Sequence, residues 1–253
     1  LWHGIQGAHF KRMHGDDPYP RIYELIDQHA DHYHWDSGEV WTDVRKRGVT
    51  PASSRVGGGH AHVGLMIYQG TNFPPEYRGQ VFTTNHHGRR VNIDRLERRG
   101  SGYVGKHAPD FMRTDDPWFR AIEIQAGPDG GVYILDWSDV GECHENDGVH
   151  RTSGRIYKIT YGDPTRPQET DLTKLTDAQL VALQPSDNEW LVRMARWELR
   201  ERAWRGVDLS SALPAWEKLV AEADPVLALN AHSALRAMSA TKSGLEPFAD
   251  AHR

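Results

Sequence analysis

Between Val63 and Tyr161 the chain runs as short strand-like segments punctuated by glycine and proline, with no stretch of helical period among them. Val63–Tyr68 is broken by Gly70-Thr-Asn-Phe-Pro-Pro75, and Gln80–Thr84 leads through a His87-Gly88 turn into Arg90–Ile93. Trp118–Gln125 alternates with period two. It meets Gly127-Pro-Asp-Gly-Gly131, in which proline presets φ and glycine accepts positive φ. Val132–Asp136 returns as a mostly apolar strand suited to burial on both faces, and Gly154–Tyr161 alternates again. Strands joined by turns this short point to an antiparallel sandwich, barrel or propeller.

Near residue 165 the pattern changes to Ala, Leu, Glu and Arg at helical spacing. Leu175–Leu183 reads as a capped helix stopped by Pro185. A second helix follows an Asp187 cap to Arg200, with Leu191, Met194, Ala195 and Leu199 on one face. Pro214–Ala223 is a third, and Asp224-Pro225 opens a fourth that runs to Ala237. The two aspartate caps are 37 residues apart, close to the ~40–47-residue period of two-helix solenoid repeats. Trp197, Trp204 and Trp216 are expected to pack between those helices. The fold class expected is therefore mainly β followed by α, with a β domain over residues 1–164 and HEAT-like helical repeats over 165–253.

Thirty basic against 35 acidic side chains in 253 residues leave a net charge of −5, which argues against a general nucleic-acid binder. No run of 18 apolar residues is present, so no membrane span is expected in this chain. The single cysteine, Cys143, excludes an internal disulfide and a multi-cysteine zinc site. Cys143-His144 is not a haem-attachment motif, which needs Cys-x-x-Cys-His. The chain opens Leu1-Trp2-His3, without methionine or a signal-peptide pattern, so localisation is not read from this terminus.

The strand segments carry a resemblance as a group. Gly58-Gly-His-Ala-His-Val-Gly-Leu-Met-Ile-Tyr68, Phe73-Pro74, Tyr77-Arg-Gly79 and Phe82 resemble the penultimate blade of the glucose/sorbosone-dehydrogenase type of six-bladed β-propeller. Trp118-Phe-Arg120, Gly127-Pro-Asp-Gly130, Tyr133, Asp136 and Gly154-Arg-Ile-Tyr157 resemble its last blade. With helices behind it, the chain looks like the "membrane-bound dehydrogenase" proteins of planctomycete-type bacteria, which join such a propeller to HEAT-like repeats and often to a c-type haem domain. The resemblance covers roughly residues 1–238 and implies a partial propeller of about two and a half blades, followed by a HEAT-like α-solenoid. Because propellers typically need 4–8 blades to close, the full protein is expected to be longer at both ends. Any haem domain, and the blade that carries the relatives' catalytic base, would lie outside this chain.

The resemblance further implies oxidation of a sugar or alcohol with pyrroloquinoline quinone (PQQ) and Ca²⁺, a cytochrome-type electron acceptor, and an extracytoplasmic location. Such a cofactor needs cations for its three carboxylates, a metal at a quinone oxygen, and a base for the substrate hydroxyl. Arg120 is the first candidate, placed by the resemblance on the innermost strand and sharing a face with Ile122 and Ile124. Its alternative is a surface or blade-to-blade salt bridge; Arg90, after the His86-His87-Gly88 turn, is the second candidate, and its alternative is a solvated hairpin-tip side chain. His60 and His62, two apart on an extended run, present one face as cofactor contacts or as a hydrogen-bonded structural pair. His29, Asp31, His32 and His34 form a dense cluster that reads either as part of a metal site or as a solvent-facing loop. Five acidic residues between Asp136 and Asp147 offer oxygen ligands for Ca²⁺, with Asp136 and Asp139 as first candidates; both equally suit turn capping. The competing function is a non-catalytic propeller–solenoid scaffold that binds polysaccharide or protein, since a fold does not by itself decide function.

Overall fold

The computed structural model describes residues 50–221 except 56, 59–60, 101, 141–149 and 151, and beyond them residues 225, 227–229, 231 and 232. The chain divides into two compact units. Of the described residues, those within 50–68, 76–125 and 133–158 form one unit; those within 69–75, 126–132 and 159–232 form the other.

In the first unit, a short helix α1 (Pro51–Ser54) precedes β1 (His62–Ile67), β2 (Val81–Asn85), β3 (Arg90–Arg99) and β4 (Gly102–Arg113). These four strands form an antiparallel sheet in chain order. The register sorts their side chains by chemistry. Met66, Phe82, Ile93 and Ala108 lie in one cross-strand row, and Val63, Thr84, Val91 and Met112 in the next. Phe82 is fully buried on this face, with Phe111 at 5.0 Å, Tyr68 at 5.7 Å and Tyr77 at 6.4 Å between ring centroids. The opposite face carries His62, Asn85, Arg90 and Arg113 in one row, Leu65, Thr83 and Asn92 in another, and Ile67, Val81, Asp94 and His107 in a third. Because side chains alternate across a strand, one apolar layer and one largely polar layer follow from the same pairing.

Two features of this sheet depart from the sequence reading. β3 continues to Arg99 rather than stopping at Ile93, and β4 was not anticipated. Gly105 and Pro109 interrupt its alternation; Pro109 is tolerated because β4 is an edge strand whose pairing with β3 shifts between Val91 and Ile93. β1 also shifts register, at Gly64. That glycine has φ +54°, and a Cβ placed there would sit 2.8 Å from Glu123 Cα, so β1 and the next sheet touch where only glycine fits.

The second sheet is β5 (Ala121–Ala126), β6 (Val132–Asp136) and β7 (Arg155–Ile159), again in chain order. Phe119, Ala121, Ile124, Val132 and Ile134 are buried. β6 is not buried on both faces: Leu135 is exposed, so the strand alternates as a half-covered one does. Ile122 is likewise exposed while Ile124 is buried, so the expected common face of Arg120, Ile122 and Ile124 is not uniformly covered.

The second unit is built on α2 (Asp177–Ala182), α3 (Glu189–Trp204) and α4 (Leu213–Ala221). Thr176 and Gln179 form a reciprocal capping box at the start of α2. The cap of α3 is Asn188, one residue after the expected Asp187; its side chain accepts from the Trp190 N–H. Leu172, Leu180, Val181, Ala195, Leu199, Ala212 and Trp216 share one core. The buried stripe of α3 includes Val192 and Glu198, while Leu191 and Met194 sit at its margin. Trp216 packs inside as expected, but Trp197 and Trp204 are 56% and 71% exposed, so the expectation that all three pack between helices fails for two of them. The second aspartate cap, Asp224, lies outside the described residues, and the described helices form one cluster without displaying a solenoid repeat. In the hairpin tip, Asp129 Oδ1 accepts from the Gly131 N–H, and Gly130 at φ +76° lies against the Asn72 backbone. Among the described residues, no helix is long and apolar enough to cross a membrane.

The architecture is thus two antiparallel sheets followed by a small helical core. Gly64→Ala should lower the unfolding free energy by about 1–3 kcal/mol through backbone strain and collision, and Leu199→Ala by about 2–5 kcal/mol through cavity formation. Denaturant titration reads both; an unchanged midpoint for Gly64→Ala would contradict the contact between β1 and β5.

Candidate functional site

The polar face of the first sheet holds a connected network of buried side chains. Arg90 is 1% exposed; its Nη1 donates to Asp110 Oδ2 at 2.9 Å and to Ser54 Oγ at 3.0 Å. Asn92 Nδ2 donates to the other oxygen of Asp110 at 2.8 Å. Asn85 Nδ2 continues the chain to Asn92 Oδ1 at 2.9 Å and to the Gly58 carbonyl at 2.9 Å. His62 is exposed at the sheet edge, but its Nε2 is enclosed, 3.1 Å from the Gly57 carbonyl and 3.1 Å from Asn85 Nδ2. His107 stands between two carboxylates, with Nδ1 4.0 Å from Asp94 and Nε2 3.7 Å from Asp110. An open cavity of about 530 Å³ lies over this end of the sheet, lined by Ser54, Arg55, His107, Ala108, Pro109, Asp110 and Arg113.

Electrostatics in this layer follow from burial. Burial pushes the Asp94 carboxyl above its ordinary range, and nearby His107 pulls it back. Burial lowers the His62 pKa below 6.5, against the opposing hydrogen bond to Gly57. The folded chain therefore binds fewer protons at His62 than the unfolded chain does just below pH 6.5. This contribution to stability is full above that pH and is lost as the pH falls.

The structure relocates the residues singled out from sequence. Arg90 is neither a solvated hairpin tip nor a free cation: it is buried and ion-paired. Arg120 is 1% exposed, and its Nη1 donates to the Phe119 carbonyl at 2.8 Å. Ala61, next to His62, has φ 55° rather than an extended value. His60 itself lies outside the described residues, as do His29, Asp31, His32, His34, Cys143 and His144.

Asp136 acts as a turn and strand anchor. Oδ1 accepts the N–H of Arg120 at 2.7 Å and of Ser138 at 3.0 Å, and Oδ2 pairs with Arg155 at 2.7 Å. Asp139 Oδ2 accepts from Trp137 Nε1 and from the His150 N–H, each at 3.2 Å. Both carboxylates accept hydrogen bonds of the kind the capping alternative describes, and among the described residues no group of three His, Cys, Asp or Glu side chains is placed to hold a metal ion.

A tricarboxylate quinone needs guanidinium groups turned towards it, and its Ca²⁺ needs uncommitted carboxylates. Arg90, Arg120 and Asp136 are buried and bonded within the fold, so these residues do not fit PQQ and Ca²⁺. The residues that do surround a cavity, His107, Asp110 and Arg113, were missed from sequence. Their spacing of three suits a helix, whereas here a break in β4 brings them together.

Removing the arginine alone strands Asp110 without its ion-pair partner. Arg90→Leu should therefore cost about 3–5 kcal/mol, and the Arg90→Leu/Asp110→Leu double variant less than the sum of the singles. Additive losses in a double-mutant cycle would remove this pair from the centre of the network. His62→Gln should flatten the loss of stability between neutral and mildly acidic pH, read by thermal melts across that interval.

Comparison with curated proteins and with solved structures finds no match to the chain. The match to a family model covers residues 24–163, which include both sheets and the network over β3 and β4. That span is more than half of the chain. The chain belongs to the family described as Domain of unknown function (DUF7133).

Proposed function

We propose that this chain is a carbohydrate-binding portion of a propeller–solenoid protein of the sugar-dehydrogenase-like kind, with the cavity over β4 as its binding site. The observation that carries the reading is the cavity of about 530 Å³, in which hydrogen-bonding side chains rest on a buried polar network. Its size suits one or two sugar rings. Ser54, His107, Asp110 and Arg113 supply donors and acceptors of the kind that hydroxyl groups need. Two of them are held from beneath: Asp110 by Arg90 and Asn92, and Ser54 by Arg90. Preformed polar groups bind with less ordering cost than groups that must be collected by the ligand. An extracytoplasmic location belongs to the same proposal.

A second reading is quinone-dependent oxidation of a sugar or alcohol by the protein that carries this chain, with a cytochrome-type acceptor. One observation favours it. The first strands of two consecutive up-and-down sheets meet at Gly64, as the inner strands of neighbouring propeller blades do around an axis. On this reading the cofactor is held by residues other than Arg90 and Arg120.

Titration of the chain with neutral and acidic oligosaccharides, followed by amide shifts of residues 105–113, tests the first reading. Saturable shifts confined to that segment are expected, and their absence across the panel would refute it. Reconstitution of the protein with PQQ and Ca²⁺, followed by dye reduction over sugars and alcohols, tests the second. Binding without reduction would leave a non-catalytic carbohydrate scaffold.

A further inference from the structure

We infer that the cavity over β4 is an oxyanion subsite, shaped for a carboxylate or sulfate group. On the carbohydrate reading, which supplies the sugar but not the anion, the ligand is an acidic sugar. The charges on the cavity carry this. Among the described residues Asp110 is the only carboxylate in its lining, its side chain is 7% exposed, and its two oxygens already accept from Arg90 and Asn92. Two further guanidiniums border the opening. Arg55 is exposed, and the Arg113 side chain is 62% exposed, with Nε 3.8 Å from Asp110. Three arginines thus stand around one lining carboxylate, with Asp94 on the other side of His107, and the buried arginine is paired first because its geometry is closest.

The excess is local. The whole chain carries a net charge of −5, so two exposed arginines at one opening are not the by-product of a basic surface. A planar guanidinium presents parallel N–H groups that match the oxygens of a carboxylate or sulfate, which a hydroxyl cannot use as fully. His107 adds an imidazole to the same lining. A neutral sugar would have no use for the two outer guanidiniums; an acidic one would.

The test uses three probes on the chain: digalacturonate, its neutral counterpart digalactose, and sodium sulfate. Calorimetric titration should show digalacturonate binding at least about tenfold tighter than digalactose, with sulfate competing for it and added salt weakening it. Arg55→Ala and Arg113→Ala should each weaken digalacturonate by about tenfold, and the double variant should bind both sugars alike. Both side chains are exposed, so melting temperatures should stay close to that of the parent chain; a variant that melts early is replaced by the Lys substitution, which keeps the charge and loses the fork. Equal affinity for the two sugars, or digalacturonate binding untouched by the double variant, overturns the oxyanion subsite while the carbohydrate reading stands. Sulfate binding abolished by the double variant, with neither sugar bound, keeps the oxyanion subsite and removes the carbohydrate reading. Failure of all three probes overturns both.

Discussion

The ion pair between Arg90 and Asp110 is the interaction on which the first unit depends. Both side chains are nearly sealed from solvent, and neither charge is tolerable there alone. Each is therefore surrounded by partners that complete its hydrogen bonding: Ser54 for the arginine, Asn92 for the carboxylate, and Asn85 behind Asn92. A polar layer of this kind is costly when half satisfied and rigid when complete. It ties α1 and the Gly57-Gly58 turn to β2, β3 and β4, elements that share no run of sequence.

Rigidity beneath fixes the polar groups that line the cavity above. Asp110 borders the opening with its charge already paired, and Arg55 and Arg113 stand at the rim. In the second sheet a comparable role falls to Asp136, which gathers two backbone N–H groups and Arg155 and so fixes the turn after β6. The two aspartates differ in outlook: Asp136 is buried within its own turn, whereas Asp110 borders a cavity. Sequence did not distinguish them, because whether a carboxylate caps a backbone or borders a cavity depends on neighbours brought in from other strands.

Legibility varied with the range of the interaction. The β1, β2 and β5 to β7 segments were read nearly where they lie, because Gly/Pro punctuation and short-range alternation are local. Helices α2 and α3 were also found, with the α3 cap misplaced by one residue because Asp187 and Asn188 are chemically alike as caps. β4 was lost to Gly105 and Pro109, and the cavity residues went with it. Trp197 and Trp204 were placed inside as aromatics at helical spacing, yet the inner stripe of α3 is set by Val192, Ala195 and Leu199. A helix face is decided by which neighbours arrive, and a single helix does not record them.

What the amino-acid order determined unaided was the alternation of short strands up to Ile159 and the shift to helices after it, because turns, caps and periodicity act over a few residues. The tertiary structure alone decided the fate of the charged groups. Arg90 was drawn inside by an aspartate twenty positions away, and Arg120 was enclosed beside Phe119. Asp110 and Arg113 were brought to one opening by a break in an edge strand. Burial and pairing depend on distances through space, and those exist only once the strands have found their register.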